Sequence, residues 1–599
     1  LKSINGGSVL PESYTDKDDG AAFPALGQKS ISSFDQDTSV VLSRIYEYEY
    51  DSLGNIAILI DSDPSGSQHR VEYDYYDGGN KYLKDKVEAE RIFGNGELYR
   101  ETNYLLDEDG NALEVYERID ADNFANTSQE FDQYGNVKRI VNPENYKGER
   151  LEFVLEYDSI EHQYLVKEEN GYGLVKQYEY EYYHGQLLKH IDENGNQTNY
   201  TIDAKGRPES ILYPRDLANG TLYSVQFEYP VSEDVHYAIA RHFDESTEKD
   251  IITYEFEDGL YRSIQTKVNA MLFDGTNNRE AIIVSGTDAY DDLGRFSRSY
   301  QPLSEDLSDA ESLNTASSSI EPISISYDVL NRPIRIMDAY GNTTNFEYGL
   351  EAAKDGMTYL YHREIGPLGL ETTKYFTLRG DIVYEKRSAE EVDIWTSYVY
   401  DGYGQVRNII DNQGNETEYS YDGLGRRLTV KVPDAGLTEL RYDNAGNLTE
   451  RITATIRDVI NQDGSIRYQY DKERLIQIDY PKYFQNKVQL HYGSPTDSFN
   501  RAGRIYLQED ATGGQEFFYD ENGNVVKNIR TIMVNRSDIF TYVSEAKFDA
   551  HNRILTLVYP DGEALKYNYH IGGKLKSMKG EKAGETYVYL QDVGYNKFQ

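Results

Sequence analysis

YDGYGQVRNIIDNQGNETEYSYDGLGRRLTVKVPDAGLTELRYDNAGN, residues 400–447, is a tandem of closely similar short units. Its three Tyr-Asp-x-x-Gly copies begin at Tyr400, Tyr421 and Tyr442, so the full period is 21 residues. A further aspartate near the middle of each period marks a half-period of 9 to 12 residues. A half-period of this length holds one turn of about four residues and one strand of about six or seven, which is the spacing of an all-β chain.

The order of residues in each copy predicts the kind of turn. Aspartate first and glycine fourth is the preference of a type I turn, because the carboxylate accepts hydrogen bonds from the turn amides. The glycine takes the positive φ that closes a bulged hairpin. Asn331 and Asn552 replace this glycine, and asparagine is the residue next best able to adopt that conformation. Each repeat is therefore predicted to be a β-hairpin.

The same motif recurs along most of the chain. Nine copies of aromatic-Asp-x-x-(Gly/Asn)-(Asn/Arg/Gln) begin at Tyr50, Phe131, Tyr290, Tyr327, Tyr400, Tyr421, Tyr442, Tyr519 and Phe548. Five further copies have an apolar, non-aromatic residue in front of the aspartate, at Asp107, Asp192, Asp203, Asp338 and Asp411. We predict that all of these aspartates and their glycines are structural, because turn chemistry accounts for each of them.

Alternation along the predicted strands gives the sheet two different faces. Thr417, Tyr419 and Tyr421 share one face of their strand, and two glutamates and a serine share the other. If the period held throughout, about 28 hairpins would form a ribbon roughly 270 Å long. A twisted sheet of that length must coil. The predicted fold is all-β, a long antiparallel β-hairpin ribbon coiled into a hollow spiral shell.

Composition supports a β-rich protein and excludes several functional classes. The 599 residues include 56 tyrosines and one tryptophan, and tyrosine suits a half-buried pleated surface. A formal net charge of −42 makes nucleic acid a poor partner. The absence of cysteine removes thiol catalysis, zinc-thiolate sites and disulfides. No run of apolar residues reaches the ~18 needed for a membrane span.

The regularity of the repeat changes along the chain. Residues 1–43 do not follow the period and are predicted to be an irregular segment after a preceding module. Residues 44–599 are predicted to be the repeat region, degenerate at 211–286. The Ser-, Ala-, Asp- and Glu-rich segment 303–321 is predicted to be an insertion that leaves the sheet, either a mobile loop or a short helix.

The Tyr-Asp-x-x-Gly-(Asn/Arg) hairpins resemble the RHS, or YD, repeat family over most of residues 44–599. The stretch Ile283–Gly286, followed by the motif at Tyr290 and by Tyr300–Pro302, is similar to the toxin-complex B component and its single-chain relatives. Residues 1–6 resemble the strand after the β-propeller of those proteins.

The resemblance implies a structural role without catalytic, cofactor or metal sites. In that family the ribbon encloses a C-terminal toxic polypeptide, and a core domain cuts its own chain with a pair of aspartates. This sequence lacks the Pro-x-x-x-x-Asp-Pro-x-Gly segment typical of that core, so we expect the core and toxin domains outside residues 1–599. The implied partners are the enclosed polypeptide, the remaining shell and core, and secretion or injection machinery. The implied location is secreted or at the cell surface, as in polymorphic toxins that act in virulence.

Two other functions remain open at this stage. Related YD-repeat proteins of the wall-associated and teneurin-like type suggest an extracellular module that binds glycans or proteins. A hydrolase within 211–286 is the third hypothesis, although no Gly-x-Ser-x-Gly or His-Glu-x-x-His pattern supports it.

One local pattern suggests a metal. Asp61, Asp63, Ser65, Gly66 and Glu72 match positions 1, 3, 5, 6 and 12 of the calcium-loop pattern Asp-x-Asp-x-Ser-Gly-x5-Glu. The flanking residues read as strands rather than helices, so an elongated hairpin turn is the alternative. Calcium binding by this loop is left open by the sequence.

Overall fold

A computed structural model describes residues 8–9, 13–17, 25–34, 41–64, 66–77, 83–231, 235–316, 321–389, 392–460, 464–481, 484–535 and 537–598. Within these residues nearly all regular structure is β-strand, arranged as two antiparallel sheets of 23 and 25 strands. The predicted all-β hairpin ribbon is confirmed.

The first sheet is built mainly from the first half of the chain. Its strands are β1 (Ser8–Val9), β2 (Ser13–Lys17), β3 (Ala25–Phe34), β4 (Val41–Tyr50), β5 (Ile56–Ser62), β6 (Gln68–Tyr75), β7 (Val87–Gly94), β8 (Glu97–Leu106), β9 (Ala112–Arg118), β10 (Phe124–Phe131), β11 (Val137–Val141), β12 (Glu152–Tyr157), β13 (Leu165–Asn170), β14 (Val175–Glu181), β15 (Gln186–Ile191), β16 (Gln197–Ile202), β17 (Pro208–Leu212), β18 (Val225–Glu228), β19 (His236–Asp244), β20 (Lys249–Glu257), β21 (Ser263–Phe273), β22 (Asn278–Ser285) and β25 (Leu303–Glu305).

The second sheet takes up most of the rest of the chain. Its strands are β23 (Asp288–Tyr290), β24 (Phe296–Ser299), β26 (Ile323–Tyr327), β27 (Pro333–Met337), β28 (Thr343–Ala352), β29 (Thr358–Ile365), β30 (Glu371–Phe376), β31 (Ile382–Ala389), β32 (Val392–Tyr400), β33 (Val406–Ile410), β34 (Glu416–Tyr421), β35 (Arg427–Val432), β36 (Gly436–Tyr442), β37 (Leu448–Ile452), β38 (Ile466–Asp471), β39 (Arg474–Asp479), β40 (Val488–Tyr492), β41 (Ile505–Asp510), β42 (Gly513–Tyr519), β43 (Val525–Val534), β44 (Asp538–Phe548), β45 (Ile554–Val558), β46 (Ala564–Tyr569), β47 (Leu575–Lys582) and β48 (Glu585–Leu590).

Helices are short among the described residues. They are α1 (Pro214–Asn219), two 3-10 turns at Leu307–Asp309 and Phe484–Asn486, and a π-turn at Ile456–Ile460. No described helix has the length and apolar character needed to cross a membrane.

Strands pair antiparallel with their neighbours in sequence, as the hairpin repeat predicts. The exception lies where the chain passes from the first sheet to the second. Strands β23 and β24 begin the second sheet, and β25 then returns to the first sheet and pairs with β22. By packing, the chain divides into two units that each contain strands of both sheets. Unit 1 comprises residues 1–152, 326–336 and 342–484, and unit 2 comprises 153–325, 337–341 and 485–599.

The hairpin turns have the predicted chemistry. In the turn at Asp422 the Gly425 amide donates to the Asp422 carbonyl at 3.0 Å, and the Asp422 carboxylate accepts from the amides of Leu424 and Arg426 at 3.0 and 2.9 Å. A bulge precedes the turn at Tyr421. Asn331 and Asn552 adopt φ of 63° and 59° in place of glycine, as expected.

The last motif residue fixes the aspartate from its other side. Arg426 Nε donates to Asp422 Oδ2 at 2.6 Å, and in asparagine-containing turns the side-chain amide does the same, as Asn55 does to Asp51 at 2.9 Å. One aspartate thus receives two turn amides and one side chain. This explains why aspartate and a donor residue occur together four positions apart.

A tyrosine near the end of one hairpin binds the hairpin before it. Tyr569 Oη donates to the carbonyl of Ile554, the first residue of β45, at 2.8 Å, and the Arg553 guanidinium lies 4.4 Å from the centre of the tyrosine ring. We call this arrangement the tyrosine clamp. The same hydroxyl bond to the first residue of a strand joins Tyr75 to Ile56, Tyr229 to Pro208, Tyr290 to Ser263, Tyr348 to Pro333, Tyr400 to Ile382, Tyr421 to Val406, Tyr470 to Leu448, Tyr519 to Ile505 and Tyr595 to Leu575.

The best-packed part of unit 2 lies where the repeat is degenerate. The fully buried residues Ile239, Phe256, Ile282 and Val284 form one apolar cluster together with Tyr254 and Ala310. Strands β19 to β22 are longer than the repeat predicts, and these extra residues supply the apolar side chains.

Residues 303–314, within the predicted insertion, contain strand β25, which pairs with β22, and a short 3-10 turn, and they pack on this cluster. The fully buried Lys267 ammonium binds the Glu305 carboxylate and the carbonyl oxygens of Asp309 and Ser312. A buried ammonium requires such partners, and they hold the segment against β21. Residues 317–320 of the predicted insertion lie outside the described residues.

The start of the chain also differs from its prediction. Within 1–43 the described residues form β1, β2 and β3, and β3 pairs with β4. These strands lack the aspartate turn motif, so their pairing could not be read from the repeat.

The turn conformation can be tested at Gly446. This residue has φ of 88°, and a Cβ there would meet no other atom within 4 Å, so a substitution tests backbone strain without a steric clash. We expect Gly446→Val to cost about 1–3 kcal/mol of unfolding free energy. Gly446→Asn is the matched control and should cost clearly less. Equal urea midpoints for the two variants would contradict the turn assignment.

The tyrosine clamp can be tested at Tyr569. Tyr569→Phe keeps the ring under Arg553 but leaves the Ile554 carbonyl without its donor, so we expect a loss of about 1 kcal/mol by urea denaturation. Tyr587→Phe is the control, because the Tyr587 hydroxyl binds the exposed Glu585 side chain. A control variant as destabilised as Tyr569→Phe would argue against the clamp.

Candidate functional site

Within unit 1, hairpin turns of the first sheet contact hairpin turns of the second. The Gly423 amide donates to the Ile119 carbonyl at 2.8 Å. At a second point the backbones of Gly94 and Gly402 approach so closely that a Cβ on Gly94 would lie 1.9 Å from Gly402 O. We call these turn-to-turn contacts seam contacts. Glycine is required at residues 94 and 402 because backbone meets backbone.

A third seam contact in unit 1 is made by arginine. Arg379, in the turn between β30 and β31, donates from Nε to Asp61 Oδ2 at 3.1 Å, from Nη2 to Asp61 O at 2.8 Å and from Nη1 to Ser67 Oγ at 2.6 Å. Arg44 on β4 holds the same Asp61 carboxylate through two bonds of 2.8 and 2.7 Å. The side chains of Arg379 and Asp61 are only 9% and 10% exposed. This is a buried ion pair with several hydrogen bonds.

The charge state of Asp61 follows from these neighbours. Burial disfavours the carboxylate, but the hydrogen bonds from Arg44 and the charge of Arg379 outweigh burial and hold the pKa of Asp61 below its usual value. The carboxylate is therefore ionised at neutral pH, and its positive partners are protein side chains.

The residues of the calcium-loop pattern lie in and beside a hairpin turn that binds Arg379. Asp63 lies 3.7 Å from Arg379, and Gly66 has φ of 85° in the turn. Glu72 is on β6 and forms ion pairs with Arg70 at 2.7 Å and Arg91 at 3.5 Å. Ser65 lies outside the described residues, and no metal-binding group of three or more His, Cys, Asp or Glu occurs in the part that the structure describes.

Unit 2 has its own seam contacts between turns of the two sheets. Arg553 donates to Asp244 at 2.7 Å and to its own turn residue Asp549 at 2.6 Å, and both aspartates are fully buried. Elsewhere in unit 2 the Ala502 amide donates to Asn194 Oδ1 at 2.8 Å.

The hydrolase hypothesis concerned polar groups in 211–286. The buried Asp244 carboxylate accepts from Ser246 Oγ at 2.6 Å and from Arg553, so a guanidinium rather than an imidazole lies beside it. Burial lowers the pKa of His242, and His551 opposite it lowers it further. His551 Nε2 lies 3.0 Å from the Phe243 carbonyl oxygen. These contacts join turns of the two sheets.

Among the cavities of the described residues, one in each unit bears on the question of a ligand site. In unit 1 a polar cavity of about 580 Å³ lies beside the seam and is lined by residues that include Tyr99, Arg118, Asp120, Tyr421 and Arg426. In unit 2 a groove of about 690 Å³ is lined by Tyr542, Tyr559, Pro560, Asp561, Glu563, Leu565, Met578 and Tyr589. The first is built from strand and turn residues of both sheets, whereas the second is an open surface that includes three exposed tyrosines.

Sequence reasoning missed the residues that make the seams. Gly402 and Gly423 follow the aspartate in their motifs, where the other seven aromatic copies have a larger residue. That departure was the available signal for a close backbone approach. Arg379 carried no signal, because its partner Asp61 is 318 residues away.

Comparison with known proteins identifies the repeat and the fold. The RHS repeat family model matches residues 400–437. The crystal structure of TcdB2-TccC3 superposes with a TM-score of 0.79 at 14% identity, covering 96% of this chain and 37% of that chain. The Photorhabdus luminescens Tc holotoxin pore gives 0.79 at 13% identity, with 96% and 39% covered. No curated protein matches the sequence.

Residues 400–437 therefore match the RHS repeat, a class of β-hairpin repeat. In fold the chain resembles the toxin-complex proteins named TcdB2-TccC3, so the predicted resemblance is confirmed. The chain spans about two fifths of the length of these solved chains.

The Asp61 turn yields a test that separates an arginine contact from a metal site. Asp61→Ala leaves Arg44 and Arg379 without their shared carboxylate, so we expect a loss of about 3–5 kcal/mol. Calcium chelation should leave the melting temperature of the unsubstituted protein unchanged. Asp77→Ala, which removes an exposed partner of Lys84, should cost far less, because solvent screens an ion pair at the surface. A melting temperature that falls on chelation, with no fall in Asp61→Ala, would establish a metal site instead.

Proposed function

We propose that this chain forms part of the wall of a hollow shell that encloses a toxic polypeptide for delivery to a target cell. The role of residues 44–599 in this proposal is structural rather than catalytic. The observation that carries it is the set of seam contacts, by which turns of one sheet bind turns of the other within each unit.

A wall needs its sheet edges and turns to be closed against one another. Exposed edges and unpaired turns would leave backbone groups open to other chains. In unit 1 the turns meet through an amide hydrogen bond, a close pair of glycine backbones and a buried arginine ion pair. Contacts of this kind suit a continuous surface made from successive lengths of ribbon.

The two-faced ribbon supports enclosure. A single sheet must cover its apolar face with another layer, and the described helices are too short to supply one. A wall that surrounds a guest polypeptide gives that face a partner. The fold shared with TcdB2-TccC3 supports the same proposal.

The tyrosines in the clamp differ from those expected to face a guest. Their hydroxyls donate to backbone carbonyls, so they hold the wall together rather than meet water. Contact with a guest is then left to tyrosines outside the clamp. The net charge of −42 favours a basic guest.

The proposal includes partners and a location. The partners are the enclosed polypeptide, a remaining shell and core domain, and secretion or injection machinery, and the protein acts outside the cell that makes it. An adhesion module that binds glycans or proteins is the competing function, and the experiment below distinguishes the two.

Enclosure predicts a lumen and a protected guest. Electron microscopy of the full-length protein should show a hollow body with a spiral wall, and the guest segment should resist protease. Arg379→Ala with Arg553→Ala should open the seams and expose the guest to protease, whereas Arg387→Ala at a residue 71% exposed should not. A solid β-sandwich, or a guest digested at once in the intact particle, would favour adhesion.

A further inference from the structure

The groove of unit 2 brings three exposed tyrosines together. Tyr542, Tyr559 and Tyr589 are 43%, 42% and 50% exposed, whereas clamp tyrosines such as Tyr569 are half-buried. Residues 538–543 of β44 and all of β48 are exposed. Exposed apolar surface concentrated in one region marks an interaction site. We call the eight residues that line this cavity the aromatic groove.

The chemistry of the aromatic groove favours a cation. Its polar lining consists of two carboxylates, those of Asp561 and Glu563, set among three tyrosine rings. Aromatic faces and carboxylates together attract ammonium and guanidinium groups. One cation of the protein itself already binds here: the ammonium of Lys582, on the neighbouring strand β47, lies 2.6 Å from Asp561 Oδ2.

The second carboxylate is positioned within the aromatic groove. Tyr589 Oη donates to Glu563 Oε1 at 2.5 Å, and this bond raises the pKa of Tyr589. Gly580 lies next to both groups, since an added Cβ there would lie 2.5 Å from Glu563 Oε1 and 2.7 Å from the Tyr589 ring. A side chain at residue 580 would therefore displace Glu563 and Tyr589 from these positions.

We propose that the aromatic groove binds a lysine or arginine side chain of an extended basic polypeptide, with Glu563 pairing the cation and Tyr542, Tyr559 and Tyr589 packing around it. The inference rests on the proposed function for the source of that polypeptide, which is the enclosed guest. The lining residues lie across neighbouring strands on an open surface, which an extended segment can reach without entering an enclosed cavity.

Binding can be measured with the 599-residue chain and a fluorescein-labelled decalysine at 0.15 M salt, where diffuse surface attraction is screened. We expect saturable binding that weakens at least about 5-fold in Tyr559→Ala and in Glu563→Gln. Tyr559→Phe should bind within two-fold of the unsubstituted protein, because the ring is kept. Gly580→Ala should also weaken binding, although it changes no charge.

Matched controls separate the groove from the general negative charge. Glu144→Gln removes the same charge from an exposed position in unit 1, and Tyr340→Ala removes a tyrosine that is 88% exposed. Both should leave the affinity within two-fold. Equal losses in Glu144→Gln and Glu563→Gln, or equal binding of decaglutamate, would overturn the proposal. Circular dichroism of each variant confirms that it is folded.

The inference and the proposed function fail differently. A particle that protects its guest while Glu563→Gln binds decalysine normally would overturn the aromatic groove alone. Groove-dependent binding by a protein whose guest is digested at once would overturn enclosure alone.

Discussion

The bond from a tyrosine hydroxyl to the first carbonyl of the preceding hairpin is the interaction on which the ribbon depends. Tyr569 makes it to Ile554, and Arg553 covers the ring while binding its own turn aspartate. One motif therefore closes its own turn and supplies the surface on which the next tyrosine packs. Each hairpin is stabilised by its contacts with the adjacent hairpins, as in other repeat proteins, so the ribbon can extend without a single central core.

The seam contacts impose a different constraint. Gly402 must approach Gly94, and Gly423 must reach the Ile119 carbonyl, so the spacing of turns in one stretch of ribbon has to match the spacing in a stretch hundreds of residues away. Arg379 and Arg553 add buried ion pairs at such points. Buried pairs add little net stability, but breaking one is costly, so they suit the selection of one register over others.

Two groups of tyrosines in this protein differ in their physics. Clamp tyrosines are buried or half-buried and have their hydroxyls bonded to backbone. Groove tyrosines such as Tyr559 have exposed rings beside carboxylates. The same residue type thus holds neighbouring hairpins together in one place and forms an exposed aromatic surface in another.

The sequence by itself determined the all-β class, the hairpin period and the turn chemistry, down to the positive φ of Asn331 and Asn552. These properties are local, since an aspartate and the donor that binds it lie within four residues. The tertiary structure decided the seams, the packing of residues 303–314 and the environment of Asp61. From sequence, Asp61 read as a possible calcium ligand; in the fold it is the partner of Arg379, 318 residues away. The physical reason is that the sequence spacing of these acidic residues is the same whether a metal or an arginine neutralises them. Only the folded chain places Arg379 next to Asp61.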